Sequence, residues 1–154
     1  MRAAFTFAEI RDVEKSIIET DGIPSLILME NAGRNAFDII WNTLPDLNDY
    51  RTFVFCGKGN NAGDGFVIAR HMIINGFNVN LVHITAPGEL QGDALKNYDI
   101  LKEICKESPV FCNFSEIREN HSQLKKGNVL IIDAVLGSGI KGKVTTEFET
   151  AIDF

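Results

Sequence analysis

Apolar positions in the first forty residues recur at helical spacing. Ile10, Val13 and Ile17 form one stripe; Leu26, Met29, Gly33, Ala36, Phe37 and Ile40 form a second. Two amphipathic helices are predicted from this rhythm. Thr6-Phe7-Ala8-Glu9 fits a capping box for the first, Gly22 stops it, and Pro24 opens the second over residues 25–41. After a loop at 45–50 the rhythm changes. Residues 52–56 read as a strand, 65–75 as a helix closed by Gly76, and 77–84 as a second strand that Pro87-Gly88 turns out of. Residues 89–106 form a helix with Leu90, Ala94, Tyr98, Leu101 and Cys105 on one side. Val110-Phe111 is a weak strand, and 115–125 is a modest helix. Residues 129–135 are apolar except for Asp133, which predicts a central parallel strand buried on both faces. Thr145 or Thr146 caps a last helix. Strands alternating with helices mean an α/β fold with a parallel sheet.

Composition narrows the class. The 154 residues suffice for one domain with its own core, and 45% apolar with 23% charged residues is ordinary for a globular chain. A net charge of -6 argues against a nucleic-acid surface, which would be basic. No apolar run is long enough to cross a bilayer, and no charged-then-apolar leader pattern opens the chain, so a cytoplasmic protein without membrane partners is expected. Cys56, Cys105 and Cys112 form no C-x-x-C pair and read as small buried hydrophobes.

Chemistry concentrates in three places. Residues 57–65, Gly57-Lys58-Gly59-Asn60-Asn61-Ala62-Gly63-Asp64-Gly65, follow the first strand and precede a helix, the local geometry that receives phosphate on backbone N–H groups. They contain no P-loop, because no Gly-Lys-Ser/Thr closes them. Gly57, Gly59 and Ala62 satisfy a relaxed G-x-G-x-x-A pattern, yet the second strand ends at His83 with no ribose-binding acid beside it. Ordinary nicotinamide-dependent hydride transfer is therefore disfavoured. Asn60, Asn61 and Asp64 exceed what a simple turn needs. Asp133 lies near the C-terminal end of its strand, where open α/β sheets bind ligands; the plain alternative is a carboxylate capping the following turn. Residues 137–143 form a second glycine-rich loop with two lysines, suited to an anion or simply to a surface turn. His71 reads as packed or solvated, and His83 and His121 have no evident partners. Glu30-Asn31, beside Ala32 and Gly33, suggests close packing against the Gly57 loop or another subunit.

Ile23-Pro24 with Leu28-Met29-Glu30-Asn31-Ala32-Gly33, the Gly57–Gly65 block, and Asp133-Ala134-Val135-Leu136-Gly137-Ser138-Gly139 together resemble the NAD(P)H-hydrate epimerases, the YjeF N-terminal domain family. The motifs run in order along nearly the whole chain. The resemblance implies a Rossmann-like three-layer α/β/α domain with a mostly parallel sheet, usually homodimeric. It implies interconversion of the R and S forms of NADHX and NADPHX, cofactors hydrated on the nicotinamide ring, and a bound potassium ion. By position, Asn60, Asn61, Ala62, Gly63 and Asp64 would contact substrate. Asn61 and Asp133 would be potassium ligands, a chemically sensible pair of oxygen donors for a hard cation. Gly137, Ser138, Gly139, Ile140, Lys141, Gly142 and Lys143 would be the second substrate loop.

Two departures stand out. Ala62 replaces the family's usual glycine, which is tolerable where φ is negative and no ligand packs on that Cα. The family pattern also continues past residue 154 to a further substrate-contacting aspartate and potassium ligand, so residues 1–154 are expected to be a C-terminally incomplete domain. Epimerisation requires loss of a hydroxyl, a planar iminium-like carbon and return of water; Asp133 is the expected catalytic or electrostatic carboxylate. The competing expectation is a non-catalytic nucleotide- or protein-binding scaffold of the same fold.

Overall fold

The computed structural model describes residues 5–106, 110–120, 122, 124, 127–137, 143–144 and 146–153. Helix α1 (Phe7–Glu19) begins with the expected capping box: Thr6 Oγ1 accepts from the Glu9 N–H at 3.3 Å and Thr6 N–H donates to the Glu9 carboxylate at 2.7 Å. Helix α2 (Ser25–Thr43) follows, burying Met29, Gly33 and Phe37. Then come β1 (Tyr50–Cys56), α3 (Asn60–Ile74), β2 (Val79–His83), α4 (Gly92–Ile104), β3 (Phe111–Asn113), α5 (Phe114–Glu119), β4 (Asn128–Ala134) and α6 (Thr146–Ile152).

The four strands are all parallel, in the order β3-β2-β1-β4. Val54 pairs with Leu81 on one side and Ile132 on the other. Two apolar layers sandwich this sheet. Val54, Cys56, Leu81 and Ala134 meet Phe66, Met72, Ala94 and Leu101 from α3 and α4 on one face. Phe53, Phe55 and Val82 meet Ile117 of α5 and Phe148 of α6 on the other. The result is the expected three-layer α/β/α architecture. Cys56 and Cys105 are buried within it, and burial pushes their thiols up, as suits apolar packing rather than reactivity.

Two expectations change. Helix α3 begins at Asn60, five residues before the predicted Gly65. Gly63 and Gly65 are close-approach residues, not turn formers: a Cβ on Gly63 would lie 2.4 Å from Met29 Sδ, and one on Gly65 would lie 2.6 Å from Ala134 Cβ. Their lack of a side chain lets α2 and the sheet press against α3, and pattern reading mistakes that for loop. Strand β4 also stands at the edge of the described sheet, where a central place was expected. Among the described residues it pairs only with β1, and Ile131 remains 57% exposed. An apolar run reports burial on average and carries no information about which strands flank it.

Candidate functional site

The order β3-β2-β1-β4 makes the β1/β4 pair the point where successive connections leave in opposite directions. Open α/β sheets form a crevice there, beyond the C-terminal strand ends. Residues leaving β1 enter α3; residues leaving β4 run alongside. The two exits are held together twice. Gly57 N–H donates to the Ala134 carbonyl at 3.1 Å. The Asn61 side-chain amide donates to the Leu136 carbonyl at 3.1 Å. Gly137 is pressed against the same side chain, since a Cβ there would lie 3.2 Å from Asn61 Cβ.

A cleft of about 680 Å³ opens over this junction. Its lining includes Lys58, Gly59, Asn60, Asn61 and Asp64 from the β1 exit and α3, and Val135, Leu136 and Gly137 from the β4 exit, with Lys143 beside them. The first two N–H groups of α3, on Asn60 and Asn61, precede the first intrahelical bonds, which Ala62 and Gly63 make to Gly59 O. Such free N–H groups at a helix start attract anions. Of the expected site residues, Asn60, Asn61, Asp64, Gly137 and Lys143 therefore meet in one cavity. Ala62 and Gly63 are buried and turned toward the core instead. Ala62 is helical with negative φ, so its methyl is accommodated where the related pattern has glycine. Ser138, Gly139, Ile140, Lys141 and Gly142 lie outside the described residues, as does His121.

Asp133, itself exposed, stands one residue before the end of β4, in register with Phe55. Its carboxylate accepts the Val135 N–H at 2.9 Å, as a carboxylate capping the following turn would. It shapes the β4 exit without lining the cleft. Asp64 sits differently. It is partly buried on the cleft wall, and no hydrogen bond from the described residues reaches its carboxylate. Burial, and then the Glu14 charge, push its pKa up from 3.8 to about 6.

Glu14 comes from α1, together with Arg11 and Ile18 on the same wall. Sequence reading misses this wall, because helical periodicity does not say what a polar face will look at. It also misses Asp93 of α4, which accepts the Ser25 hydroxyl at the start of α2 and is paired with Lys96 at 3.3 Å. At the mouth, Lys58 pairs with Glu89 at 2.8 Å, and that bond raises the Lys58 pKa. A second hollow of about 790 Å³ lies between the ends of β2 and β3 and helices α5 and α6, with none of the motif residues in its lining.

A polar clamp beneath the cleft holds α2, α3 and α4 in place. Glu30 of α2 bonds Arg70, and its other oxygen lies 2.8 Å from His71 Nε2. Burial alone would raise the Glu30 carboxyl; the bonds from His71 and Arg70 outweigh it and hold the pKa below normal. Asn97, only 1% exposed, donates to Met29 Sδ and the Asp93 carbonyl, both at 3.2 Å, and accepts from Arg70 at 3.5 Å. Met29 in turn packs on Gly63, one residue before Asp64. Thus His71 and Glu30, undecided in the sequence, are packing partners. Asn97→Leu should cost about 1–3 kcal/mol in urea denaturation, because it strands buried polar partners.

Potassium fits the chemistry of these residues. The Asn61 amide oxygen, the Leu136 carbonyl and the Asp133 carboxylate are hard oxygen donors on two loops already joined by a hydrogen bond. Among the described residues no group of three or more His, Cys, Asp or Glu side chains competes as a metal centre.

Comparisons with known proteins show the family. The family described as "YjeF-related protein N-terminus" matches residues 25–154. A protein named NAD(P)H-hydrate epimerase from Rhodopirellula baltica is 32% identical over 152 residues, covering 96% of this chain and 57% of its own length. One of the same name from Pirellula staleyi is 35% identical, covering 93% of this chain and 61% of its own. The bifunctional NAD(P)H-hydrate repair enzyme of Salinibacter ruber is 34% identical over 90% of this chain, but only 27% of that longer protein is spanned. A crystal structure of a yeast protein superposes with a TM-score of 0.77 at 19% identity, covering 99% of this chain and 64% of that one, which supports the fold. With the family model matched over residues 25–154 and relatives above 30% identity covering most of the sequence, the chain belongs to the YjeF-related N-terminal family.

Proposed function

We propose that this chain epimerises hydrated NADH and NADPH, interconverting the R and S forms of NADHX and NADPHX in nicotinamide-cofactor repair. The observation that carries the reading is the junction of the β1 and β4 exits through Asn61 and Leu136 at the floor of one cleft. The names of the related epimerases and repair enzymes support the substrate class.

The free N–H groups of Asn60 and Asn61 receive a phosphate of the dinucleotide, with Lys143 adding positive charge. The cleft volume of about 680 Å³ suits part of such a ligand. At the hydrated ring carbon the hydroxyl must leave and water must return on the other face. The intermediate ring is cationic, so an ionised carboxylate nearby lowers its energy. Asp133 takes this electrostatic role, its carboxylate held in place by the Val135 N–H. Asn61 and Asp133 would hold potassium, whose charge would order their oxygens. The reading also includes a cytoplasmic homodimer. The exposed Phe7, Ile10 and Val13 of α1 suit burial against a second copy, and no helix among the described residues is long and apolar enough to cross a membrane.

The test starts from the pure R epimer and follows the S form chromatographically, with and without potassium. The chain should raise the rate well above the buffer rate, and Asp133→Asn should lower it about tenfold. A rate equal to buffer would leave the binding scaffold as the better reading.

A further inference from the structure

Resting on the epimerase reading, we propose that Asp64 is the acid–base residue of the reaction, protonating the departing ring hydroxyl and receiving the proton when water re-adds to the same face. Four observations converge on it. First, Asp64 lines the cleft one turn beyond the free N–H groups of α3, so a ligand anchored there lies within its reach. Second, no hydrogen bond from the described residues engages its carboxylate, which leaves both oxygens available. Third, it is the fifth residue of α3, past the first turn, where the helix dipole would hold an acid ionised. Fourth, Asp133 is exposed, lies outside the cleft lining and is engaged by the Val135 N–H, so Asp64 is better placed to pass a proton into the cleft.

The charged surroundings of Asp64 agree. Glu14 and Arg11 face it from α1, Lys58 from the β1 exit, Asp93 from α4, and Lys143 lies on the same lining. Lys58 is committed to Glu89, and Asp93 to Ser25 and Lys96. Burial first, and then the Glu14 charge, move the carboxyl up to about 6, within working range for proton transfer near neutrality.

The step balances without an oxidant. Asp64 gives its proton to the hydroxyl oxygen; the C–O bond breaks with its electron pair on oxygen, and water leaves. The ring nitrogen lone pair forms a C=N⁺ bond. Water then bonds to the opposite face and releases a proton to solvent in the open cleft, while solvent reprotonates Asp64. In the reverse direction the Asp64 carboxylate takes the proton from water adding on its own face.

The experiment measures epimerisation of pure (R)-NADHX in ¹⁸O-water by the wild-type chain and by Asp64→Asn, alongside calorimetric binding of the same substrate. Wild type should place ¹⁸O in the product hydroxyl, and its kcat/KM should fall about tenfold per pH unit above 6. Asp64→Asn should lose at least thirtyfold in kcat, bind within threefold of wild type, and lose the pH dependence. A wild-type chain without activity would overturn both this role and the epimerase reading. An active wild type whose kcat/KM is flat between pH 6 and 8 would overturn the role alone, and needs no variant to fold. So would an Asp64→Asn variant of near-normal turnover, or one whose principal defect is binding.

Discussion

Gly57→Ala should cost at least about 3 kcal/mol and leave most of the chain unfolded at modest urea concentrations. A Cβ at this position would lie 2.1 Å from the Val135 carbonyl oxygen and 3.1 Å from the Val135 carbonyl carbon and a ring carbon of Phe148. The atom that clashes hardest is a backbone oxygen, so no rotamer change relieves the clash. The Gly57 N–H also bonds the Ala134 carbonyl, so relief by separation breaks the tie between β1 and β4. Gly59 is the matched control. It N-caps α3 with φ of -98°, and nothing lies within 4 Å of a Cβ placed on it. Gly59→Ala should therefore cost less than about 1 kcal/mol. Equal urea midpoints for the two variants would contradict the close approach of the two strand exits.

Asp64→Asn should stabilise the fold, and by more as pH rises from 4 to 7. The folded carboxyl titrates near 6 and its ordinary value is 3.8, so the folded state disfavours the ionised form. Its favourable contribution is complete below the unfolded pKa and is lost as pH rises through the folded one. A shift of about 2 units bounds the loss at ~3 kcal/mol, and partial exposure of the group trims it. The wild-type profile alone will not show this. His83 is buried among Phe66, Tyr98 and Phe111, and burial lowers its pKa from 6.5 to about 4. Its contribution runs the other way, present above 6.5 and lost as pH falls toward 4. The two effects oppose each other over the same window. The difference between variant and wild-type unfolding free energies, measured in urea at pH 4, 5.5 and 7, isolates Asp64. A difference that does not grow with pH would mean that the carboxyl is solvated. Growth together with lost turnover would identify a residue that trades stability for chemistry.

Much of the architecture is written locally. Thr6 and Glu9 specify the start of α1 because a capping box needs only its own residues. The alternation of short apolar runs with helical stripes yields the parallel α/β sheet, since each element must bury one face against another. The glycine- and amide-rich block after β1 and the aspartate in β4 point to the candidate end of the sheet, because parallel strands deliver their C-terminal ends to one rim. What pattern cannot carry is the identity of neighbours. Gly63 and Gly65 read as loop because a missing side chain looks the same whether it frees a turn or admits Met29 and Ala134. Strand β4 reads as central because an apolar run does not name its partners.

The line between the two kinds of knowledge passes through the two aspartates. Local sequence alone determined that both lie where the chain leaves or follows a strand at the ligand-binding rim, with amides and glycines around one and an apolar strand before the other. Tertiary structure alone decided their chemistry. Asp133 is left exposed and tied to an N–H two residues on, while Asp64 is driven toward neutrality by burial and by a glutamate fifty residues earlier in the chain. Proton affinity depends on charges and solvent within a few ångströms, and folding alone sets which residues those are.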